Sequence, residues 1–285
     1  MDINVSFALL LTTLAGLSTG IGSTIAYFIG KPNYSYLALA LGFSAGVMVY
    51  ISFAELLKTS VAEVGFVTAN LGFFSGIGFI ALLDLLIPHE YEEERRGESH
   101  LSTVKRIFRR LLRRNEPRQE KDVAQSSPSS IAQPTGLERG GLFTALGIAI
   151  HNFPEGMVTF SSVATGEASL GMAVAIAIAM HNIPEGIAVS IPIFYATGNR
   201  RRAFLYSFSS GLAEPLGAIV GYTILRPFLT PTLLSTSLAF VAGIMVYISL
   251  DELLPLAHRY GKEHLVITGT VVGMVVMAVS LFLLV

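Results

Sequence analysis

Two hexamers hold most of the chemistry this chain can offer. Residues 151–156 read HNFPEG and residues 181–186 read HNIPEG. Each brings an imidazole, a carboxamide and a carboxylate together within about two turns of helix. In a helix, His151 lies four residues before Glu155 and Asn152 lies three before it, so both pairs can meet on one surface. Successive residues rotate by about 100°. His151 and Asn152 therefore face different sides, with the Glu155 carboxylate between them, and His181, Asn182 and Glu185 repeat the pattern. Two such helices facing each other form two adjacent pockets, one lined by the histidines and one by the asparagines. Glu155 and Glu185 can bridge both. Glu214, in a later apolar segment, is a candidate further ligand on the asparagine side. Imidazole nitrogen beside carboxylate and amide oxygen suits zinc, iron, cobalt, nickel and similar divalent ions, and an all-oxygen set suits harder or larger ones. The chain has no cysteine, which excludes disulfides, thiolate metal sites and iron–sulfur clusters.

Pro154 and Pro184 add to this pattern. A proline within a helix has no N–H for the carbonyl four residues back. The carbonyls of Ile150 and Met180 are thereby released, and each helix is expected to kink. Gly156 and Gly186 leave room for close packing. Kinked or broken helices at mid-membrane depth often line ion sites.

The elements that must carry the hexamers are membrane helices. Of 285 residues, 52% are hydrophobic and 14% are charged, where a soluble domain carries about 25% charged residues. Mean hydropathy is +0.62. Apolar runs longer than about 18 residues recur along the chain. A soluble globular enzyme, a disordered chain and a nucleic-acid-binding domain are excluded. With no tryptophan, any interfacial aromatic belt falls to 10 Tyr and 18 Phe.

Eight spans are expected, at Val5–Ile29, Tyr36–Leu57, Gly65–Ile87, Gly141–Thr165, Ser169–Tyr195, Ala203–Leu225, Thr232–Leu254 and His264–Val285. Each is long enough for a ~30 Å hydrocarbon core. The first is not expected to be a signal peptide. Asp2 precedes it without a Lys or Arg, and no small-residue cleavage site follows.

The long connection, residues 88–140, is polar and charged. QSSPSSIAQP at 125–134 has a linker's composition. KRIFRRLLRR at 105–114 can form a basic amphipathic helix on the membrane surface, although a solvated charge run is the plainer expectation. The expected organisation is residues 1–87, the loop 88–140, residues 141–195 with the hexamers, and residues 196–285.

Orientation follows from the cations. All but two of the 19 Lys and Arg fall on one set of alternate connections: Lys31, the run from Arg95 to Arg139, Arg200 to Arg202, and Arg259 with Lys262. Lys58 and Arg226 lie opposite. The positive-inside rule makes the first side cytoplasmic. It places loop 88–140 in the cytoplasm and both termini outside.

Residues 45–57 (AGVMVYISFAELL) and 242–254 (AGIMVYISLDELL) agree at ten of thirteen positions. They occupy spans two and seven, which the topology runs in opposite directions. Gly16, Leu17, Gly22 and Tyr27 of span one recur as Gly211, Leu212, Gly217 and Tyr222 of span six. The fold expected is an all-α integral membrane protein of eight transmembrane helices in a 3+2+3 arrangement with inverted repeats, a pointer to a secondary transporter or channel.

Seven acids fall within the spans: Glu55, Asp84, Glu155, Glu185, Glu214, Asp251 and Glu252. An ionisable side chain at mid-bilayer costs about 2.5–3.5 kcal/mol on insertion scales, and no Lys or Arg lies deep in a span. The counter-charge must be protons or a bound cation, and the hexamer spacing favours the cation. Glu55, Asp251, Glu252 and His258 are candidates for a pathway. For Glu55 and Glu252, gate, vestibule and solvated helix end all stay open. Met48 and Met245 match across the repeat and are expected to be core packing. His89, Glu90 and the acids 92–94 could collect metal at the cytoplasmic mouth, although a solvated charge run is the plainer expectation.

The paired hexamers, the eight spans, the long third loop on the cytoplasmic side and SGLAEPLG at 210–217 resemble the ZIP (Zrt/Irt-like) divalent metal transporter family. With a histidine opening the second hexamer, the chain is similar to that family's prokaryotic ZupT-like branch. The resemblance covers nearly the whole chain and is weakest in residues 88–140. It implies uptake of Zn²⁺, and of Fe²⁺, Mn²⁺, Co²⁺ or Cd²⁺ as alternatives, into the cytoplasm. It also implies a two-metal centre. Glu155, His181 and Glu185, with His151 nearby, would hold the first ion. Asn152, Glu155, Asn182, Glu185 and Glu214 would hold the second. The loop of many relatives is histidine-rich, whereas here it has only His89 and His100, which argues against a strong sensing role.

The leading expectation is an importer that uses no ATP, since no P-loop motif is present. An exporter or channel is the alternative, because the repeats permit either direction. An intramembrane metalloenzyme is the third, and the hexamers lack the His–Glu–x–x–His spacing of zinc hydrolases. No catalytic cofactor is expected. The partners are the lipid bilayer and the metal ions, with no nucleic acid. A homodimer is compatible with the chain, although no dedicated interface motif is legible.

Overall fold

The computed structural model describes residues 5–86, 134–165, 168–225, 228, 230–260 and 263–284. The chain divides into two compact units, Met1–Ala81 with Pro134–Val285, and Leu82–Gln133. Of the second unit, only residues 82–86 are described. The basic run 105–114, the stretch 125–133, His89, His100, Arg226 and Lys262 lie outside the described residues.

The described residues form eight helices and no strands. They are α1 (Val5–Phe28), α2 (Tyr34–Val64), α3 (Phe66–Leu86), α4 (Pro134–Thr165), α5 (Ala168–Thr197), α6 (residues 200–225), α7 (residues 231–260) and α8 (Glu263–Leu284). Six of them are long and apolar enough to cross a membrane. The other two, α4 and α6, are the most polar. One carries Glu138, Arg139 and the first hexamer, and the other opens on three arginines and carries Glu214.

Local chemistry sets several boundaries. Asn33 and Asn199 cap α2 and α6 by accepting from Ser35 N and Arg202 N, each at 2.9 Å. Thr230 caps α7 from Leu233 N at 3.1 Å, with Pro231 at the first helical position. Gly65 (φ 79°) and Gly198 (φ 64°) take the positive φ that the tight α2–α3 and α5–α6 turns demand. One boundary departs from expectation. α4 begins at Pro134, inside the segment expected to be loop. A proline opens a helix readily because its missing N–H needs no partner there. Glu138 on the added turns pairs with Arg202 of α6 at 2.8 Å.

The thirteen-residue repeat encodes a shared irregularity. Within α2 the backbone widens to π-helix over Ser52–Leu57, and within α7 over Ile248–Leu253. Ser52 Oγ donates to the Met48 carbonyl at 2.6 Å, and Ser249 Oγ donates to Met245 at 2.7 Å. Such serine back-bonds compete with the helical ladder and bend it. Met48 and Met245 are fully buried, in keeping with core packing.

Helices α1, α4, α5 and α6 pack on one another, α2 joins them at α5, and α7 joins at α4. α8 packs on α2, and α3 packs on α7. The tightest crossings rest on glycine, whose missing side chain lets backbones meet. A side chain on Gly22 of α1 would strike the Ile183 carbonyl of α5, and one on Gly217 of α6 would strike the Phe153 carbonyl of α4. Gly46 meets Thr270 and Gly273 meets Phe43 between α2 and α8. Gly243 meets Phe73 and Gly76 meets Phe240 between α7 and α3. At one constant displacement Phe43, Gly46, Phe73 and Gly76 become Phe240, Gly243, Thr270 and Gly273. Leu10, Leu14 and Ile21 of α1, Leu71 and Phe74 of α3, and Val275 and Phe282 of α8 are exposed, as suits lipid-facing positions.

A Cβ on Gly243 has no space against the Phe73 carbonyl, whereas Gly78 has nothing within 4 Å. Gly243→Ala is therefore expected to destabilise by about 1–3 kcal/mol through overpacking. Gly78→Ala should be neutral or slightly stabilising. Thermal unfolding in detergent checks this. Equal midpoints for the two variants would show that the close α3–α7 crossing is not limiting.

Candidate metal centre

The seven residues expected at the site come together on three helices. His151, Asn152 and Glu155 lie on α4, His181, Asn182 and Glu185 on α5, and Glu214 on α6. All are buried, with at most 2% of any one exposed. No Lys or Arg is buried among the described residues. The three carboxylates therefore sit in a low-dielectric interior without a Lys or Arg counter-charge, and two of them face only a histidine.

The pairing differs from the one expected. His151 and Glu155 share a helix, yet His151 Nε2 lies 3.0 Å from Glu185 Oε1 on α5. Reciprocally, His181 Nε2 lies 2.9 Å from Glu155 Oε1 on α4. Each imidazole thus reaches the carboxylate of the opposite hexamer. Spacing along one helix permits the intrahelical pair, but the azimuth at which α4 and α5 meet decides for the crossed one.

His181 shows what these contacts require. Its Nδ1 lies 3.2 Å from the Ala177 carbonyl. A carbonyl only accepts, so Nδ1 carries a proton, and whenever the ring is neutral Nε2 turns a lone pair toward Glu155. Two acceptors at that separation need a proton or a cation between them.

The asparagines are oriented by the same logic. Asn182 Nδ2 donates to the Ala15 carbonyl of α1 at 2.9 Å and to Glu214 Oε1. Asn152 Nδ2 donates to the Ser210 carbonyl of α6 at 3.3 Å. With the amino groups spent on backbone, both Oδ1 atoms are left over. The buried side-chain atoms of the site without a hydrogen-bond partner among the described residues are His151 Nδ1, both Asn Oδ1 atoms, both Glu155 oxygens, His181 Nε2, Glu185 Oε2 and Glu214 Oε2. Every one can present a lone pair, and unmet buried acceptors are expensive unless something electropositive reaches them.

The backbone around the site is built for this. α4 and α5 stay helical through Pro154 and Pro184. α6 is interrupted at Leu212, between Arg200–Gly211 and Ala213–Val220, so Glu214 stands in the first turn of a new segment. Pro215 has no N–H for the Gly211 carbonyl, which accounts for the break. Hydroxyls from two other helices hold the second hexamer's backbone: Ser44 Oγ of α2 donates to the Pro184 carbonyl at 2.7 Å, and Ser207 Oγ of α6 donates to Gly186 at 2.8 Å. Nothing in the sequence singled out these serines.

The four pathway candidates lie apart from this buried group. Glu55 is half-buried on the π-turn of α2, Asp251 is exposed and Glu252 half-buried on the π-turn of α7, and His258 is exposed near the end of α7. One further group was not singled out from the sequence. Thr19 of α1 is fully buried, and its Oγ1 has no partner among the described residues. The recurrence of Gly16 and Gly22 as Gly211 and Gly217 aligns it with Glu214, a signal that was legible.

Comparison with known proteins identifies the family. The family model described as ZIP Zinc transporter matches residues 1–281. The Clostridium perfringens (strain 13 / Type A) protein named Zinc transporter ZupT is 51% identical over 288 residues, which cover 98% of this chain and 96% of that one. The proteins of the same name from Lysinibacillus sphaericus (strain C3-41) and Nitratidesulfovibrio vulgaris (strain Hildenborough) are 50% and 48% identical. The alignments cover 100% of both chains in the first case, and 99% of this chain and 98% of the relative in the second. Similarity that spans the hexamers, α6 and the flanking helices together shows that the chain belongs to the ZIP zinc transporter family.

Proposed function

We propose that this chain carries zinc across the cell membrane into the cytoplasm, without ATP, through a two-ion centre on α4, α5 and α6. Glu155, His181 and Glu185, with His151 beside them, hold the first ion. Asn152, Glu155, Asn182, Glu185 and Glu214 hold the second. The observation that carries this reading is the set of unmet lone pairs described above, gathered in a buried, cation-free site. A divalent ion bound by His181 Nε2 and Glu155 replaces a contact of two acceptors with two bonds to one metal, while His151, whose Nε2 meets Glu185 Oε1 at 3.0 Å, keeps its lone pair on Nδ1. Mixed nitrogen and oxygen ligands without thiolate bind zinc moderately, and they also admit Fe²⁺, Mn²⁺, Co²⁺ and Cd²⁺. Moderate affinity serves a carrier, which must release what it binds.

The 3+2+3 arrangement of inverted repeats belongs to the same proposal. It is supported by the matched glycine crossings and by the paired π-turns of α2 and α7. Alternating access then rocks or slides the central pair against the repeats. Orientation rests on the cation distribution, which puts both termini outside and Lys31, Arg200–Arg202 and Arg259 in the cytoplasm. Ions then leave past Glu252 and His258, while Glu55 sits toward the outer end of α2.

The deciding experiment is Zn²⁺ uptake into proteoliposomes, with and without an imposed pH gradient. Wild type should accumulate zinc. Glu185→Ala, and the isosteric Glu185→Gln, should reduce uptake to the level of empty vesicles. Vesicles that bind zinc but accumulate none would sink the importer reading and leave the site intact.

Imidazole and carboxylate ligands must shed protons to bind metal. Uptake is therefore expected to rise from pH 5 to pH 7. A flat profile across that interval would count against this ligand set.

A further inference from the structure

The surroundings of α4 and α5 match in pairs, and one pair is unequal. The Ala15 carbonyl of α1 accepts from Asn182 as the Ser210 carbonyl of α6 accepts from Asn152. Gly22 rests on Ile183 as Gly217 rests on Phe153. Gly186 abuts the Thr19 carbonyl as Gly156 abuts the Glu214 carbonyl. Three separate contacts thus make Thr19 the counterpart of Glu214, with a hydroxyl where its mate has a carboxylate.

Thr19 is also chemically unfinished. Threonines in these helices donate to the carbonyl four residues back, as Thr12 does to Ala8 at 2.9 Å and Thr159 to Glu155 at 2.8 Å. For Thr19 that acceptor is Ala15, whose oxygen already receives Asn182 Nδ2 at 2.9 Å and has Ser18 Oγ at 2.6 Å. Across from it is Gly211, where an added methyl would come within 2.8 Å of Thr19 Oγ1. The hydroxyl is fully buried, with no partner among the described residues. Glu214 spans to Asn182, so the matching partner for Thr19 is Asn152, whose Oδ1 is unmet as well. A threonine oxygen stops two bonds short of a glutamate oxygen. The hydroxyl therefore makes no hydrogen bond to Asn152 where Glu214 makes one to Asn182.

We infer that Thr19 Oγ1 supplies the neutral oxygen that faces the asparagine-side ion opposite Glu214, and that it determines how tightly this ion is held. The inference rests on the two-ion reading. A second carboxylate there would overcharge the site and trap the cation, whereas an apolar group would leave it short of a ligand. The hydroxyl lies between these extremes.

The test is equilibrium binding of Zn²⁺ and Cd²⁺ to the purified full-length protein, with proteoliposome uptake measured in parallel. Thr19→Val keeps the shape and removes the hydroxyl. It should weaken one of two binding events about tenfold and leave the other unchanged. Thr19→Ser should bind like wild type. Thr19→Glu should tighten the same event at least tenfold and slow uptake. If Thr19→Val does not give a monodisperse protein, Thr19→Ala against Thr19→Ser poses the same contrast. Two wild-type binding events, both unmoved by loss of the hydroxyl, would overturn the assignment of Thr19 alone. A wild type that binds fewer than two ions would overturn the two-ion reading and this inference with it.

Discussion

Three carboxylates buried without a lysine or arginine constrain everything else in this molecule. Glu155, Glu185 and Glu214 lie in a helical interior where no Lys or Arg is buried among the described residues. An uncompensated charge in that medium costs several kcal/mol. Such a site is stable only with an exchangeable counter-charge. The surrounding groups are turned to suit one. Asparagine amino groups are used on backbone carbonyls, His181 spends its proton on Ala177, and the lone pairs that remain converge. A member of a transporter family has a direct use for this requirement, since in the proposed function the counter-charge is the cargo. The family the chain belongs to is one of transporters and not of enzymes.

Holding this group in place falls largely to small residues. Lipid supplies no hydrophobic drive between helices, so association depends on close packing and hydrogen bonds. Glycine crossings bring α1 against α5, α6 against α4, α2 against α8 and α7 against α3. Serine hydroxyls from α2 and α6 then fasten the backbone of the second hexamer. That hexamer is pinned at Pro184 and Gly186, where carbonyl positions set the direction of the intervening Glu185 side chain.

Much of this was legible in the sequence, and the parts that were not share a cause. The hexamers, the acids without cations and the thirteen-residue repeat are local patterns, and the helices carrying them form close to where periodicity and hydropathy place them. The crossed pairing of His151 with Glu185 and His181 with Glu155 was not legible. It depends on how α4 and α5 are rotated about their axes, which spacing along one helix cannot determine. The early start of α4 was hidden because residues 134–140 are polar and read as loop, although Pro134 suits a first helical position and Glu138 finds Arg202. The π-turns were hidden because a serine back-bond looks, in sequence, like any serine in a helix. The place proposed for Thr19 was marked only by the recurrence of its flanking glycines, and its residue type drew no attention to it. A threonine in an apolar helix normally satisfies itself, and only the capture of the Ala15 carbonyl by Asn182 leaves it without a partner.

The near-symmetry of the site and its single departure bear on how an ion can pass. Matched surroundings for α4 and α5 mean that an ion meets similar ligands whichever helix it approaches first, which flattens the differences in affinity it must cross. Perfect symmetry would place a carboxylate on both sides of the asparagine pocket, and the fourth buried acid would deepen the well it has to leave. Retaining Glu214 on α6 and a hydroxyl on α1 keeps enough negative charge to draw a divalent cation out of water. It also leaves one side of the pocket neutral. In a carrier without thiolates the rate of release is governed by carboxylate count, because each added carboxylate raises affinity more than any neutral oxygen does. On the proposed reading, the inequality between Thr19 and Glu214 is therefore where this fold sets the balance between capture and release.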